Sequence, residues 1–288
     1  MNGPCTPPDG TRTVFSRRQA LTRGMAVSTM VAAGVAGLRP MEAVAGPHGD
    51  PYSIIGTNPG WPMRYRTSYQ TSGGRTIGLH STAPNQTFLF DPYFHSTCDS
   101  WANYFHSMSV QHFSSTIRLA WVGTAGVGGY KPGSNHHTGN AFDLTAMYYN
   151  NGGYIDCYFS HQSYAPVTHQ RWYIGLAWSG RRFFPELGIV GTGGGHDNHI
   201  HLGRYKNNSS SILLSRTTWD TWLVQRTCKV MMLANIALDG QWGSQTESHY
   251  RTLMGRLGLS GYDPFTNASH LRTMADRIVA RGLAGLTI

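Results

Sequence analysis

Two short histidine-containing segments constrain this chain more than any other feature. The first, S-N-H-H-T-G-N-A-F-D, spans residues 134–143, and the second, G-H-D-N-H-I-H-L-G, spans residues 195–203. Between them they supply the imidazole and carboxylate groups of His136, Asp143, His196, His199 and His201. Three protein ligands of these types, with a fourth position left open, form the coordination sphere of a catalytic zinc ion. The sequence therefore predicts that the fold brings the two segments together around one Zn²⁺ ion.

Local sequence signals indicate how these side chains are presented. His136 precedes Gly139, whose backbone freedom is typical of a loop, so we expect His136 to lie on a loop. Residues 140–149 read as a strand, in which Asp143 points away from its apolar neighbours. The same alternation puts His199 and His201 on one face of a later strand. Two imidazoles on one face can share a metal site.

Both motifs resemble those of the D-alanyl-D-alanine carboxypeptidase branch of the zinc peptidases, a group that also includes lysostaphin-like endopeptidases and the hedgehog signalling domain. The likeness is closest to secreted actinomycete zinc carboxypeptidases, which end in a similar glycine-led H-x-x-H-x-H run. The resemblance implies that His136, Asp143 and His201 bind the zinc. It also implies that His199 is the catalytic base acting on water, and that His196 stabilises the anionic transition state.

One departure from that family concerns an arginine. In the family, a strand before the first motif carries an arginine followed by serine, and this arginine binds the substrate carboxylate or the tetrahedral oxyanion. The corresponding residues 119–125 read L-A-W-V-G-T-A and contain no arginine. Arg118 lies directly before them and could take that role from a neighbouring position, but a solvated charge at a strand edge explains Arg118 equally well. The departure bears on substrate recognition more than on metal binding.

The order of the predicted elements indicates an α+β fold. Helical spacing of aromatic residues alternates with short extended segments, which favours a small antiparallel sheet carrying the zinc site, with flanking helices. A glycine-rich loop at 123–133 is expected to lead into the first motif. The helices are predicted at 99–113 and 166–178, and the strands at 115–122, 140–149, 187–190 and 198–202.

Composition divides the chain into five parts. Arg17 and Arg18, an apolar run and the small-residue sequence A-V-A read as a twin-arginine signal peptide. A segment rich in Gly, Pro, Ser and Thr follows, and it reads as an extended lead-in with a small hairpin. The predicted parts are the signal at 1–45, the lead-in at 46–86, the zinc peptidase-like domain at 87–204, a polar linker at 205–216 and a small all-α domain at 217–288.

Export and charge together point to the cell wall. The net charge is +9 at pH 7, and an excess of six basic residues remains without the signal, which suits an anionic wall. No Lys- or Arg-rich run and no nucleic-acid module is present, so nucleic acid is not an expected partner. A membrane-spanning helix needs about 20 apolar residues, and the apolar run of the signal is shorter than that. No membrane association is therefore expected after cleavage of the signal. The expected product is a secreted, wall-associated monomer.

The cysteines suggest one disulfide. Of the four, Cys5 leaves with the signal, and the other three lack the C-x-x-C spacing of a zinc cluster. Outside the cytoplasm one disulfide can form, and we expect Cys98 to pair with Cys157 because both fall in the predicted catalytic domain. Cys228 is then expected to be a buried free thiol in a helix.

The C-terminal part has a motif of its own. Residues 238–246, L-D-G-Q-W-G-S-Q-T, resemble the D-G-x-[FW]-G-x-x-T signature of small three-helix peptidoglycan-binding domains. Physically, this is a tight Asp-Gly turn, an aromatic anchor and a cap for the next helix. The chain departs from the later half of that signature, and continues into an extra helix predicted at 270–281. A wall-binding domain and a structural helical appendage both remain open.

These features predict a secreted zinc metallopeptidase that hydrolyses a D-amino-acid amide bond in the peptidoglycan stem peptide, as a D,D-carboxypeptidase or an endopeptidase. Two alternatives remain: a non-catalytic cell-wall-binding protein on the same zinc-site fold, and an extracellular zinc protease of ordinary peptides. The complete H-x-x-H-x-H run favours catalysis, because a binding module has little need of the catalytic pair.

Overall fold

The computed structural model describes residues 61–72, 75–81, 88, 90–127, 134–193, 195–204 and 212–288. The predicted signal peptide, the first part of the predicted lead-in and residues 205–211 of the predicted linker therefore lie outside the described residues. Within those ranges, no helix combines the length and the apolar character needed to cross a membrane.

The described residues form seven strands and six α-helices. The strands are β1 (Met63–Ser72), β2 (Arg75–His80), β3 (Leu119–Val127), β4 (Ala141–Tyr149), β5 (Tyr154–Asp156), β6 (Glu186–Gly188) and β7 (Ile200–Gly203). The helices are α1 (Pro92–His112), α2 (Cys157–Ser160), α3 (Val167–Arg181), α4 (Thr218–Met231), α5 (Ser244–Arg256) and α6 (Ala268–Leu283). A single 3₁₀ turn, Asn135–Thr138, precedes β4.

All seven strands belong to one sheet with the order β2-β1-β3-β4-β7-β6, and β5 pairs with β4 beside that path. The neighbouring strands are antiparallel except for β1 and β3, which are parallel. The predicted α+β class is confirmed, but the sheet is mixed rather than purely antiparallel. The difference arises because the hairpin predicted in the lead-in, β1 and β2, extends this sheet.

Strand β4 is central, since one of its edges pairs with β3 and the other with β7 and β5. The alternation of its side chains between the two faces of the sheet is interrupted. Phe142 packs against Trp101 of α1, and Tyr149 bonds to Ser109 of the same helix, although the two β4 residues are an odd number of positions apart. The register with β3 shifts at Thr145, where β4 contains one extra residue. This bulge keeps both ends of β4 facing the helices.

Strand β3 differs from its prediction at both ends. It begins at Leu119 instead of Ser115 and runs to Val127, through glycines that the sequence placed in a loop. Gly123 lies within the strand because the imidazole of His80 packs directly over it, where a β-carbon would collide with the ring. The glycine at this position therefore makes room for a side chain from β2.

Helices α1 and α3 cover the buried side of the sheet. Helix α3 lies close to its predicted position, whereas α1 begins seven residues before the predicted start at residue 99. Asp91 caps α1 by accepting hydrogen bonds from the backbone N–H groups of Tyr93 and Phe94. Trp101 of α1 donates from Nε1 to Ser179 Oγ of α3 at 3.0 Å. From residue 171 to its end, every residue of α3 is buried. Helix α3 therefore lies in the middle of the protein, with other elements packed around it.

The C-terminal helices pack on the far side of α3. Trp178 donates to Thr227 of α4, and Trp172 donates to the carbonyl of Leu283 in α6. The buried apolar residues of the sheet, of α3 and of these helices form one continuous cluster. The helices predicted in the C-terminal part, including the extra one, are confirmed. Its description as a separate domain stays a prediction.

The Asp-Gly turn of the C-terminal motif is held by a side chain of α4. Gln225 donates to Asp239 Oδ1 at 2.7 Å and accepts the backbone N–H of Gly240 at 3.0 Å. Trp242 packs against the rings of Tyr250 and Phe265. The motif therefore fixes the C-terminal helices internally, and Trp242 is the aromatic anchor that the sequence predicted.

The predicted disulfide does not form. Cys98 in α1, Cys157 at the start of α2 and Cys228 in α4 are all buried free thiols. Burial raises the pKa of each, so they remain neutral and pack as small apolar groups. The pairing of Cys98 with Cys157 was wrong because membership of one domain does not determine a distance. The prediction of a buried helical thiol at Cys228 is confirmed.

A buried ion pair between Arg181 of α3 and Asp220 of α4 gives a stability prediction, since their side chains are only 3% and 7% exposed. Asp220→Asn leaves the buried guanidinium without a counter-ion, so we expect the free energy of unfolding in urea to fall by about 3–5 kcal/mol. Arg251→Ala is the control, because its pair with Glu247 is largely exposed and should change stability by less than about 1 kcal/mol. Similar small effects of both substitutions would contradict the prediction.

Candidate metal centre

Three elements bring the predicted ligands to one point. Asp143 of β4 lies directly opposite His201 of β7 in the antiparallel register, so the two side chains share a face of the sheet. His136 comes from the 3₁₀ turn before β4. Ser134 caps that turn by accepting the N–H of His136, and Gly139 ends it with a φ of 69°. The two sequence motifs meet as predicted.

The three donor atoms form a nearly equilateral triangle. His136 Nε2 lies 3.2 Å from Asp143 Oδ1 and 3.2 Å from His201 Nδ1, and the last two atoms are 3.0 Å apart. A tetrahedral zinc ion with bonds of about 2.0–2.1 Å would separate its ligand atoms by about 3.3 Å. Among the described residues, this is the one group of three or more His, Cys, Asp or Glu donors close enough to hold a metal ion. The geometry fits a metal of zinc's size.

Hydrogen bonds among these groups determine how readily each of them binds a proton. Burial would raise the pKa of Asp143, but hydrogen bonds from His136 and His201 hold it well below its usual range. Burial would lower the pKa of His201, but hydrogen bonds to the carboxylates of Asp143 and Glu186 raise it to about 9. His201 is therefore protonated at neutral pH until a cation competes with that proton.

Glu186 of β6 is a residue of the site that the sequence did not reveal. Its Oε1 lies 3.5 Å from His201 Nε2, and its Oε2 accepts a hydrogen bond from Asn135. A carboxylate behind a metal-binding imidazole fixes the ring and leaves the other nitrogen for the metal. The sequence showed a carboxylate before the second motif, but it did not show that β6 pairs with β7.

His199 lies beside the triangle without belonging to it. Its Nε2 is 3.3 Å from Asp143 Oδ1, and its Nδ1–H donates to Asn198 Oδ1 at 2.7 Å. Because the amide oxygen accepts the Nδ1 proton, Nε2 is left as the acceptor. Burial lowers the pKa of His199 to about 4 despite the Asp143 carboxylate. The imidazole is therefore neutral at pH 7 and able to take a proton.

His196 reaches in from the turn before β7, as expected. Its ring lies 5.2 Å from that of His199 and 5.6 Å from that of His201, measured between centroids. Its Nδ1 is 3.1 Å from Thr192 Oγ1. Burial lowers the pKa of His196, so the ring is neutral at pH 7 and carries one N–H donor.

Two further side chains touch this region, and the sequence gave no reason to single out either. His161 is buried, and its Nε2–H donates to the carbonyl of Asp197 at 2.5 Å, which braces the turn between His196 and His199. Trp219 of α4 comes from the predicted all-α domain. Its ring lies edge-on to His196 and His201, with centroid distances of 5.5 Å and 5.9 Å.

Arg118 is not brought to the site. It lies before the start of β3, whereas Asp143 pairs with Gly126 near the other end of that strand, a separation of up to roughly 26 Å at 3.3 Å per residue. Its guanidinium donates to two carbonyls of its own loop. The geometry therefore gives no support to the substrate-binding role that the sequence offered for Arg118, and it matches the alternative of a charge at a strand edge.

Arg66 of β1 is the arginine whose charge acts on the site. Burial is the main cause of the lowered pKa of His199 and of the raised pKa of Asp156; the charge of Arg66 adds a small part to the first shift and opposes the second. The sequence placed Arg66 in the lead-in, since nothing in the pattern showed that β1 pairs with β3 beside β4.

No family model, no curated protein and no solved structure matches this chain. The expected relation to zinc carboxypeptidases therefore rests on the two sequence motifs alone. The function has to be argued from the geometry of His136, Asp143, His199 and His201.

The three proposed ligands can be tested by zinc binding. Replacing His136, Asp143 or His201 with alanine should weaken zinc affinity by more than about 100-fold, because a site of two ligands remains. Competition with a chromophoric zinc chelator measures this affinity. His137→Ala is the matched control, since this neighbouring imidazole is outside the donor group and its loss should leave the affinity unchanged. Zinc bound equally well by Asp143→Ala would show that the site is elsewhere.

Zinc binding should also release a proton. With a pKa of about 9, His201 is protonated at pH 7, and a metal at Nδ1 must displace that proton. We expect close to one proton per zinc at pH 7, and affinity that weakens as the pH falls further below 9. Calorimetry in buffers of different ionisation enthalpy counts the protons. Glu186→Gln removes one of the carboxylates that raise the pKa and should reduce the release. No proton release at pH 7 would contradict this protonation state.

Proposed function

We propose that the protein is a secreted, zinc-dependent peptidase of peptidoglycan that hydrolyses a D-amino-acid amide bond in the stem peptide. The observation that carries the proposal is the donor triangle of His136, Asp143 and His201, with the Nε2 atom of His199 directly beside it. The signal-like N-terminus, the basic charge and the C-terminal motif support a cell-wall substrate. The resemblance of the motifs supports a D-amino-acid bond.

The side chains around the triangle have separate roles in this proposal. Zinc held by the three ligands would supply Lewis acidity, which polarises the amide carbonyl and makes water acidic enough to attack near neutral pH. His199 accepts the proton of the attacking water at Nε2 and returns it to the departing amine. Asn198 keeps Nδ1 of His199 protonated, so Nε2 remains the acceptor. His196 would stabilise the negative charge on the carbonyl oxygen in its protonated form, because the one N–H of the neutral ring, at Nδ1, already donates to Thr192 Oγ1.

Arg66 takes the place of Arg118 in this proposal. A substrate with a terminal or side-chain carboxylate would gain from a positive charge near the site. Arg66 is assigned this role because its partner in the β1–β2 register, His80, contacts Thr145 of β4, two residues from Asp143. Arg66 belongs to β1, which pairs with β3, so it comes from a different strand than the family's arginine.

Catalysis is favoured over a non-catalytic wall-binding role by the pair His199 and Asn198. A module that only binds would gain nothing from an imidazole whose tautomer is fixed with Nε2 as the acceptor. The other alternative, a zinc protease of ordinary peptides, differs from the proposal only in its substrate. The hydrolysis assay described next distinguishes the two.

The test is hydrolysis of purified sacculi by the full-length, zinc-loaded protein, with products identified by mass spectrometry. Free D-alanine would indicate a carboxypeptidase, and split dimers would indicate an endopeptidase. His199→Ala should retain zinc and lose activity by about 10²–10⁴-fold, the usual contribution of a general base. Arg66→Ala should retain zinc and raise KM.

His249→Ala provides the control, because His249 lies on α5 and should leave both zinc content and activity unchanged. Cleavage of casein without cleavage of sacculi would replace the proposal with an ordinary protease. Retention of zinc with no hydrolysis of either substrate would support the non-catalytic alternative. Full activity of His199→Ala would show that another group is the base.

A further inference from the structure

Helix α4 contacts the segment that leads into the second motif through two tryptophans. Trp219 and Trp222 are three residues apart, so they lie on one face of the helix. Trp222 packs against Gly191, where a β-carbon would lie 2.5 Å from its ring and where φ is 93°. Trp219 contacts His196 on the same segment. One face of α4 therefore lies along the backbone that carries the catalytic imidazoles.

The position of Trp219 is fixed from both sides. Asp220, the next residue, accepts two hydrogen bonds from Arg181 at 2.7 Å and 3.0 Å. It also accepts the N–H and the hydroxyl of Ser215, at 2.7 Å and 2.8 Å. Trp222 is held against Gly191 three residues later. A side chain placed between two such anchors is preorganised rather than free to move with a linker.

Trp219 adds an apolar wall to a site that is otherwise polar. The described neighbours of the donor triangle offer imidazoles, carboxylates and an amide, whereas the indole ring is half-buried beside His196 and His201 and meets both edge-on. The ligand side chains remain partly accessible, with 19% of His136 and 18% of Asp143 exposed. A substrate that reaches the triangle therefore passes close to the indole.

We propose that Trp219 is a specificity-determining residue, which forms the apolar wall of the substrate cleft and packs against the methyl side chain of a D-alanine at the scissile bond. The inference rests on the proposed function and names the residue that selects its substrate. It also makes α4 part of the catalytic unit, although the sequence assigned this helix to a separate wall-binding-like domain.

The test compares Trp219→Ala and Trp219→Phe with the wild type, all as full-length, zinc-loaded proteins. The substrates are two acetylated tripeptides, one ending in D-alanyl-D-alanine and one in D-alanyl-D-leucine. Trp219→Ala should raise KM for the first about tenfold with a smaller change in kcat, and should lower the preference for D-alanine about tenfold, the scale of one lost apolar contact. Trp219→Phe should keep most of that preference. Trp242→Phe, inside the C-terminal helices, should change neither.

Two measurements keep the result interpretable. Zinc stoichiometry of one in each variant shows that the site is intact, and an unchanged preference in such a variant overturns the inference. If Trp219→Ala does not fold, the same comparison is made with Trp219→Phe and Trp219→Leu. If the wild type cleaves neither peptide, the carboxypeptidase form of the proposed function fails, and calorimetric binding of the dipeptide D-alanyl-D-alanine then tests the role of Trp219 by itself. If the Trp219 variants bind D-alanyl-D-alanine at least fivefold more weakly than the wild type, the result supports Trp219 as the apolar wall. Equal binding in wild type and variants, or no binding by the wild type, overturns the inference.

Discussion

The candidate site depends on the pairing of β4 with β7. Asp143 and His201 can share a metal because the register places them opposite each other, 3.0 Å apart at their donor atoms. A slip of one residue would turn Asp143 toward the helices. The adjacent pair, Phe142 with Leu202, is completely buried on the helix side and opposes that slip. The hydrophobic core thus determines the geometry of the polar site on the other face.

A second constraint acts through α3 and the C-terminal helices. The ion pair of Arg181 with Asp220 and the packing of Trp222 on Gly191 hold α4 beside the segment that carries His196. A buried ion pair contributes little net stability, but it strongly favours one relative placement of two elements, since any other leaves a charge unpaired. The C-terminal helices therefore influence the site by fixing the position of the segment that carries His196. This effect does not depend on any ligand that these helices bind at their own surface.

The sequence alone predicted those features that a single short segment determines. The H-x-H alternation, the loop before Gly139 and the helices at α1, α3 and α6 follow from spacing that one segment contains. Glu186 and Trp219 could not be found in this way, because their roles arise from strand order and from helix packing between distant segments. The misplaced expectation for Arg118 has the same origin: a position next to a strand in sequence does not say which end of that strand meets the site.

In the proposed reaction, charge balance links the metal ion, the base and the substrate. Asp143 and Glu186 are two carboxylates around His201, so a single proton on that imidazole leaves one negative charge uncompensated. A divalent cation that displaces the proton neutralises both. Burial keeps His199 neutral and able to accept a proton. The same balance, with Arg66 nearby, favours a group that becomes negative during the reaction, and this is the charge that an amide carbonyl acquires when water attacks it.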